Sequence, residues 1–254
     1  MIFETHAHYD DEAFDEDRYD LLDSMAENGI GTIVNATASK RTVEKSLELA
    51  HKYPFVYTTI GVHPSDCAEM DEAELKWLEE MCADEKAVAV GEIGLDYHYD
   101  EPSPEIQKKW FEAQIELARR VKLPVIIHSR DAAKDTLDIM KALQTEEIGG
   151  DIHCFSYPVE IAKEYLNMGF YIGVGGVITF KNGRKLREVV EYAPIEQIVI
   201  ETDSPYLSPE PFRGKRNSSL NLPYVVEKIA EIKGLTAEKV IEITEANARK
   251  LYRL

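Results

Sequence analysis

Three shortages in this 254-residue sequence narrow the class of protein before any motif is considered. It has three cysteines, Cys67, Cys82 and Cys154, which are odd in number and widely spaced, so no disulfide framework is expected. No apolar run reaches the roughly eighteen residues that cross a bilayer, and the first residues lack the basic and apolar regions of a secretory signal. These absences predict a cytoplasmic protein with no membrane partner and no obligate protein partner.

Basic side chains are also scarce, because 29 Lys and Arg face 47 Asp and Glu, for a formal net charge of −18. Such a surface does not favour sequence-independent wrapping of duplex nucleic acid. The charge is uneven, however. Residues 1–30 hold ten acidic side chains and one basic, whereas residues 181–216 hold seven basic and six acidic. The later region is the better candidate for contact with an anion.

What the sequence has in quantity is the alternation of short β-branched runs with stretches of helical period. Strands are predicted at 2–8, 30–36, 56–62, 87–95, 124–129, 150–155, 170–176 and 197–203. Eight strand–helix repeats without a Pro-, Gly- or Ser-rich linker predict an α/β fold, a single (β/α)8 TIM barrel over residues 1–254. A doubly wound open sheet is the weaker alternative.

Helix signals lie between the predicted strands. Ser103 and Pro104 suit the N-cap and first position of a helix. The apolar stripe of that helix is Ile106, Trp110, Ala113, Leu117 and Val121. Asp71 with Glu74 resembles a capping box, and Gly234 suits a helix C-terminus.

Chemically active side chains recur where the predicted strands end. The set is His6, His8, His63, Glu92, His128, His153, Glu201 and Asp203. In a barrel the carboxyl ends of the strands converge on one mouth, which carries the active site. Residues two apart on a strand point to the same side. The sequence therefore predicts that these side chains meet.

Imidazoles mixed with carboxylates are typical ligands of borderline divalent metals such as zinc, manganese and nickel. Six predicted ligands exceed the three that a catalytic zinc usually takes, so two ions are expected: His6, His8, Glu92, His128, His153 and Asp203. Glu92 is the predicted bridge between the ions. Asp203 is the predicted acceptor of a water proton, assisted by His63 or Glu201. Glu201 lies one pleat deeper, and it is expected either to support a ligand or to bind a third metal.

Two further residues receive structural predictions. Glu4 shares the alternation of His6 and His8 and is expected to be a buried structural carboxylate. Cys154 has the opposite parity to His153, so it should face the helices as a small core residue.

Substrate contacts are predicted around the mouth. Arg130 offers a planar donor fork for a phosphate. The basic segments "KNGRKLR" and "RGKRN" fall after strands seven and eight, where barrels commonly bind phosphate, although a solvated surface is their default interpretation. Aromatic side chains that are expected either to stack on bases or to pack within loops are Tyr97, Tyr99, Phe155 and Tyr206.

Seven motifs follow one another along residues 4–217: "THAH", "GVHP", "GEIGLDY", "IHSR", "HCFS", "ETDSPYL" and "RGKRN". Together they resemble the TatD family of metal-dependent deoxyribonucleases, in the amidohydrolase superfamily of barrels. The resemblance implies that His6, His8, Glu92 and Asp203 hold one ion. It implies that Glu92, His128 and His153 hold the other, with magnesium, manganese or zinc as the metal.

The resemblance also implies an activity: hydrolysis of DNA, as an exonuclease from the 3′ end. The acidic surface favours a short or single-stranded end as the substrate. The expected nucleophile is a water that bridges the two metals, with its pKa lowered from about 15.7 toward 7. The alternative is a D-aminoacyl-tRNA deacylase, or another ester or amide hydrolase, at the same site. A non-catalytic barrel is disfavoured because no ligand is missing.

Two positions depart from the family's pattern. Glu4 stands where the family usually has Asp, and "SSLNLP" at 218–223 stands where many members have Glu-Pro. The departures leave the rim segment 213–223 without a predicted role.

Overall fold

The computed structural model describes residues 1–254 and contains one sheet of eight parallel strands that pair in chain order. The strands are β1 Ile2–Ala7, β2 Ile30–Asn35, β3 Val56–Ile60, β4 Ala87–Asp96, β5 Val125–Arg130, β6 Gly150–Ile152, β7 Tyr171–Val174 and β8 Ile198–Ile200. The sheet closes where Ala7 bridges to Ser204, just after β8. The predicted (β/α)8 TIM barrel is confirmed, and the open sheet is excluded.

Nine α-helices accompany the strands, and α1 to α8 each follow the strand of the same number. They are α1 Arg18–Asp23, α2 Lys40–Lys52, α3 Glu72–Met81, α4 Pro104–Val121, α5 Ala133–Ala142, α6 Val159–Asn167, α7 Arg184–Tyr192, α8 Leu222–Lys233 and α9 Ala237–Tyr252. Asp71 caps α3 by accepting a hydrogen bond from the N–H of Glu74 (2.8 Å). Gly234 ends α8 in the left-handed conformation, with φ of 65°. None of the helices has the length and apolar character needed to span a membrane.

The buried face of α4 contains Trp110 and Leu117 of the predicted stripe but is centred beside it. Ile106 is exposed, whereas Gln107 and Gln114 are buried. The Gln107 amide accepts from the N–H of Asp96 (2.8 Å) and donates to its carbonyl (2.8 Å). Gln114 makes the same pair of bonds with Val62 (2.8 and 3.0 Å). Buried backbone groups need such partners, so α4 fixes the chain at the carboxyl ends of β3 and β4.

The amino-terminal end of the barrel is filled by an apolar cluster. Its members are Phe3, Val34, Val88, Ala89, Ile126, Tyr171, Val199, Ala248, Leu251 and Tyr252. Because they come from six strands and from α9, they meet inside the barrel, where side chains of a small barrel pack. Tyr252 also donates to the carbonyl of Thr5 (2.8 Å) and stacks on Phe3 at 5.9 Å between ring centroids. This cluster is the floor beneath the mouth.

Several strands end earlier than predicted. β6 ends at Ile152 and β8 at Ile200, so His153, Glu201 and Asp203 follow their strands. Cys154 and Asp203 have φ of 46° and 57°, in the left-handed region that strand alternation does not include. The prediction that Cys154 faces the helices is wrong for this reason, because Cys154 is half-buried and lines the mouth.

Alternation also fails early in β1, where the register shifts between Glu4 and Ala7. Glu4 therefore does not share the face of the imidazoles. Its carboxylate accepts from the N–H and hydroxyl of Thr202 (2.8 and 2.7 Å) and from the hydroxyl of Ser219 (2.9 Å). Burial raises the pKa of Glu4 to about 8. Glu4 is therefore the buried structural carboxylate that was predicted. Its side chain, however, does not lie on the predicted face of β1.

Candidate active site

One set of donor atoms comes from β1, β4 and the segment after β8. The Nε2 atom of His6 lies 3.2 Å from Nε2 of His8 and 3.2 Å from Oε2 of Glu92. The Nε2 atom of His8 lies 3.3 Å from Oδ1 of Asp203. Ligand atoms around a tetrahedral zinc, with bonds of about 2.1 Å, are roughly 3.4 Å apart. The spacing of this first set fits one divalent ion.

A second set uses the other oxygen of Glu92. Its Oε1 atom lies 2.7 Å from Nδ1 of His128, 3.4 Å from Nε2 of His153 and 3.7 Å from Nε2 of His63. Glu92 thus presents one oxygen to each set, which is the arrangement of a bridging carboxylate. His63 adds a third imidazole to the second set. The structure thus brings together seven of the eight side chains that were predicted to meet. The eighth, Glu201, lies directly beneath them.

The electrostatics of the first set indicate a place for a cation. Burial disfavours a charge on Glu92, yet the neighbouring imidazoles, that of His153 foremost, hold its pKa well below the ordinary value. Burial also opposes a charge on His8, but Asp203 raises the pKa of that imidazole to about 9. Metals displace such protons when they bind imidazole. The donor set therefore fits a divalent metal.

Two buried carboxylates hold the imidazoles of the second set. Oδ2 of Asp96 lies 3.1 Å from Nε2 of His128, and Oε2 of Glu201 lies 3.2 Å from Nδ1 of His153. A carboxylate on the outer nitrogen fixes the orientation and tautomer of a metal-binding imidazole. The sequence analysis did not predict a role for Asp96. Asp96 lies four residues after Glu92 on β4, so strand alternation would have placed both side chains on the same face.

Glu201 is fully buried, and its second oxygen accepts from the N–H of Cys154 (2.6 Å). Gly173 on β7 makes the space for it, because a Cβ there would lie 2.6 Å from Oε2 of Glu201. Both oxygens of Glu201 are thus engaged below the mouth.

The first set has weaker outer support. Nδ1 of His8 lies 3.0 Å from the carbonyl oxygen of Ala36. Nδ1 of His6 is buried without a hydrogen-bond partner, and its ring instead stacks on His153 at 3.6 Å between centroids. The backbone also contributes, since the N–H of Asp203 donates to the carbonyl of His6 (2.9 Å).

Donor residues line two adjoining cavities, and His63, His128, His153 and Asp203 line both. The smaller, of about 280 Å³, extends toward β1 and β2 and is walled there by Asp10, Asp11, Ala38 and Thr42. The larger, of about 660 Å³, lies over the other strands, and its wall includes Tyr99, Arg130, Ser156, Val177 and Leu207. Tyr206 borders both.

The predicted substrate contacts divide in the structure. Tyr99 and Tyr206 are exposed at the mouth, by 58% and 54%. Phe155 is buried, and Tyr97 donates to Asp135 (2.9 Å), so these two pack within the structure. Arg130 lines the larger cavity, whereas none of the basic residues of 181–216 lines either cavity. Those segments fit their default interpretation as surface.

A closed (β/α)8 barrel that gathers imidazoles around a shared carboxylate at its mouth defines a class of protein, the metal-dependent hydrolases. The chain belongs to the TatD family within that class, because the family model "TatD related DNase" matches residues 3–253. It is therefore an enzyme, and the resemblance inferred from the motifs is confirmed.

Individual relatives cover the whole chain. It is 44% identical to the uncharacterized metal-dependent hydrolase YabD of Bacillus subtilis, over the full length of both proteins. It is 31% identical to the 3′-5′ ssDNA/RNA exonuclease TatD of Rahnella sp., over all of this chain and 98% of that one. The crystal structure of the TatD homologue YjjV of Escherichia coli matches with a TM-score of 0.94 and 30% identity, covering 100% of this chain and 98% of that one.

Proposed function

We propose that the enzyme hydrolyses phosphodiester bonds of DNA, as a 3′–5′ exonuclease on short or single-stranded ends. The observation that carries this proposal is the shared Glu92, with one donor set on each of its oxygens, beside a cavity that offers Arg130. Two adjacent cations and a planar donor fork suit a phosphodiester. A relative named as a 3′-5′ ssDNA/RNA exonuclease supports the same substrate class.

The proposed metal ligands are two groups that share Glu92. His6, His8, Glu92 and Asp203 hold one ion, and Glu92, His128 and His153 hold the other; zinc, magnesium and manganese are the candidate metals. Such ions supply Lewis-acid polarisation of the phosphoryl oxygen and a lowered pKa for attacking water. We also propose that residues 1–254 act as one domain, because every donor comes from the one barrel.

Asp203 is the proposed proton acceptor. Its side chain reaches the mouth, with 17% of its surface exposed. Burial opposes its charge, but the hydrogen bond with His8 lowers its pKa below the ordinary value, so it is ionised near neutrality. In the reaction the water oxygen bonds to phosphorus, the bond between phosphorus and O3′ breaks, and Asp203 takes the water proton. The released O3′ gains a proton, passed on from Asp203 directly or through solvent, and becomes a hydroxyl.

His63 is placed to assist the leaving O3′ atom. Its Nδ1 accepts a hydrogen bond from the N–H of Ser65 (3.1 Å), which assigns the ring proton to Nε2. Burial, with repulsion from His128, lowers the pKa of His63 to about 3, so the ring is neutral. The Nε2–H group borders both cavities and can donate a hydrogen bond to the leaving oxygen.

Glu201 is proposed as a positioning residue. Because it is fully buried and bonded to His153 and Cys154, it acts on the reaction through the orientation of His153. Of the two roles predicted for Glu201, the hydrogen bond with His153 supports that of a positioning residue. The alternative role, as a ligand of a third metal, stays a prediction.

The test is a short 5′-labelled single-stranded DNA incubated with the metal-loaded enzyme, beside chelator-treated enzyme and Asp203→Asn. The expected result is a ladder that shortens from the 3′ end and disappears in both controls. Circular dichroism of Asp203→Asn should match the parent protein. Intact DNA with both metals bound would reject the nuclease function, and a D-aminoacyl ester would then be the substrate to assay.

A further inference from the structure

The smaller cavity is bordered by a tie between two neighbouring loops. The hydroxyl of Tyr206, after β8, donates to Oδ2 of Asp11, after β1 (3.0 Å). Farther out, Arg216 donates to both carboxylate oxygens of Asp17 (2.7 and 2.5 Å) and to the carbonyl of Ala13 (2.7 Å). The tie closes the cavity along the β8–β1 side.

The far wall of this cavity is formed by acidic side chains. Asp10 and Asp11 both line it, and its 11 lining residues include no Lys or Arg. The carboxylate of Asp10 accepts a hydrogen bond from the neutral amide of Asn35 (2.7 Å). The nearby Lys45 donates to the backbone carbonyl of Asp10 and not to its carboxylate. The larger cavity, in contrast, offers Arg130.

We propose that the smaller cavity is an end pocket, which receives the 3′-terminal nucleoside of the strand and rejects a terminal phosphate. The inference rests on the proposed function. With the scissile phosphate at the donor sets, the strand extends over the larger cavity toward Arg130, and one unit lies beyond. Six of the 11 residues that line the smaller cavity belong to the gathered site: His8, His63, Glu92, His128, His153 and Asp203. Within its volume of about 280 Å³, only the part toward Asp10, Asp11 and Thr42 is left for the strand, which limits it to one terminal unit. Like charges repel most strongly in such partly enclosed sites, so Asp10 and Asp11 disfavour a phosphate there.

The end pocket also accounts for repeated action. Hydrolysis joins the water oxygen to phosphorus and breaks the bond between phosphorus and O3′ of the penultimate nucleotide. The terminal unit leaves as a nucleoside 5′-phosphate, and the shortened strand keeps a 3′-hydroxyl. That neutral end is the one that the acidic wall accepts in the next cycle.

The experiment compares three single-stranded DNAs of one sequence: a linear strand with a 3′-hydroxyl, the same strand with a 3′-phosphate, and a covalently closed circle. The expected result is shortening of the first, at least tenfold slower shortening of the second, and an intact circle. Asp11→Asn removes the charge. Its one oxygen can still accept from the N–H of Ala13 (2.7 Å), and its NH2 group can donate to the hydroxyl oxygen of Tyr206 in place of the present bond. The substitution should reduce the difference between the two linear strands several-fold.

Two variants control for other effects. Glu16→Gln removes an exposed charge from the same segment, outside the cavity, and should leave the ratio of the two linear rates unchanged. Tyr206→Phe breaks the tie without changing the charge of the wall, and the ratio should again persist.

The outcomes separate the end pocket from the nuclease function. Equal rates on the two linear strands, or cutting of the circle, would overturn the end pocket and leave the nuclease standing. A ratio that Asp11→Asn does not alter, or that Tyr206→Phe abolishes, would overturn the charge explanation. No cleavage of any strand by the metal-loaded enzyme would remove both proposals.

Discussion

On one side of Glu92 the donor atoms belong to His6, His8 and Asp203, and on the other to His128 and His153. The first side is held by the backbone, through the carbonyl of Ala36 and the bond from the N–H of Asp203 to the carbonyl of His6. The second side is held by two buried carboxylates, Asp96 and Glu201. The comparison teaches that the first side depends on correct closure of the barrel, whereas the second depends on individual side chains that a substitution can remove.

The substitution Glu92→Gln should erase the difference between the sides, because it removes the anion that both share. We expect kcat/KM to fall by more than about 100-fold. That figure is the largest loss typical of replacing a residue that only hydrogen-bonds to a metal ligand. Bound metal, measured by emission spectroscopy after dialysis, should drop for both ions. Retention of two ions per chain in Glu92→Gln would show that Glu92 is not a bridge.

Glu201→Gln and Asp96→Asn should affect the second side alone. Each removes the negative partner of one imidazole, so we expect a roughly 10- to 100-fold loss of affinity for one ion, with the other ion unchanged in a calorimetric titration. Asp84→Asn is the matched control, because it breaks a pair with His51 (2.8 Å) far from the mouth. Weakening of both ions to the same degree would contradict the division into two sides.

Arg130→Ala tests the cavity beside the second side. We expect KM for a short single strand to rise by roughly tenfold with kcat nearly unchanged, and the effect to shrink at high salt, which screens exposed charges. Arg184→Ala is the control, since Arg184 is exposed and pairs with Glu188 on α7 (2.7 Å). A lower kcat with an unchanged KM would place Arg130 in the chemistry instead.

Arg216→Ala should have the smallest effect, on the tie beside the first side. The hydrogen bond from Arg216 lowers the pKa of Asp17, against a minor opposing effect of burial. A depressed folded-state pKa stabilises the protein above the unfolded value, near 3.9, and this stability is lost as the pH falls through the folded value. For an exposed pair we expect about 0.2–1 kcal/mol at pH 7. The difference in Tm between parent and variant should therefore begin to shrink as the pH falls below about 4 and vanish only below the lower folded-state pKa of Asp17. A difference that grew in acid would contradict this assignment.

The architecture could be predicted because each strand and helix carries its own period, and the mouth because strand ends converge in any barrel. The positions of His6, Glu92 and His128 could be predicted because all three residues lie on strands and not in loops. Asp96 could also have been included, since its parity on β4 matches that of Glu92. The TatD resemblance added the partition of the ligands into two groups, which stays a prediction.

The errors share a physical cause, which is the loss of alternation at irregular backbone. Cys154 follows the end of β6 and has a positive φ, and Glu4 precedes a register shift in β1. For both residues, the prediction from strict alternation along the strand therefore chose the wrong face. The buried amides of Gln107 and Gln114 pair with backbone groups distant in sequence, which an apolar stripe does not indicate. The tie between Tyr206 and Asp11 joins residues 195 positions apart, and no local pattern encodes such a contact.

The floor of the barrel has a consequence for how the first donor set forms. β1, which carries His6 and His8, rests on Tyr252 of α9 through Phe3 and the carbonyl of Thr5. The contact from Tyr252 to Thr5 joins residues 247 positions apart. The strand that carries His6 and His8 is therefore supported only after α9 has packed against it, so the first donor set depends on the complete tertiary fold and not on local structure.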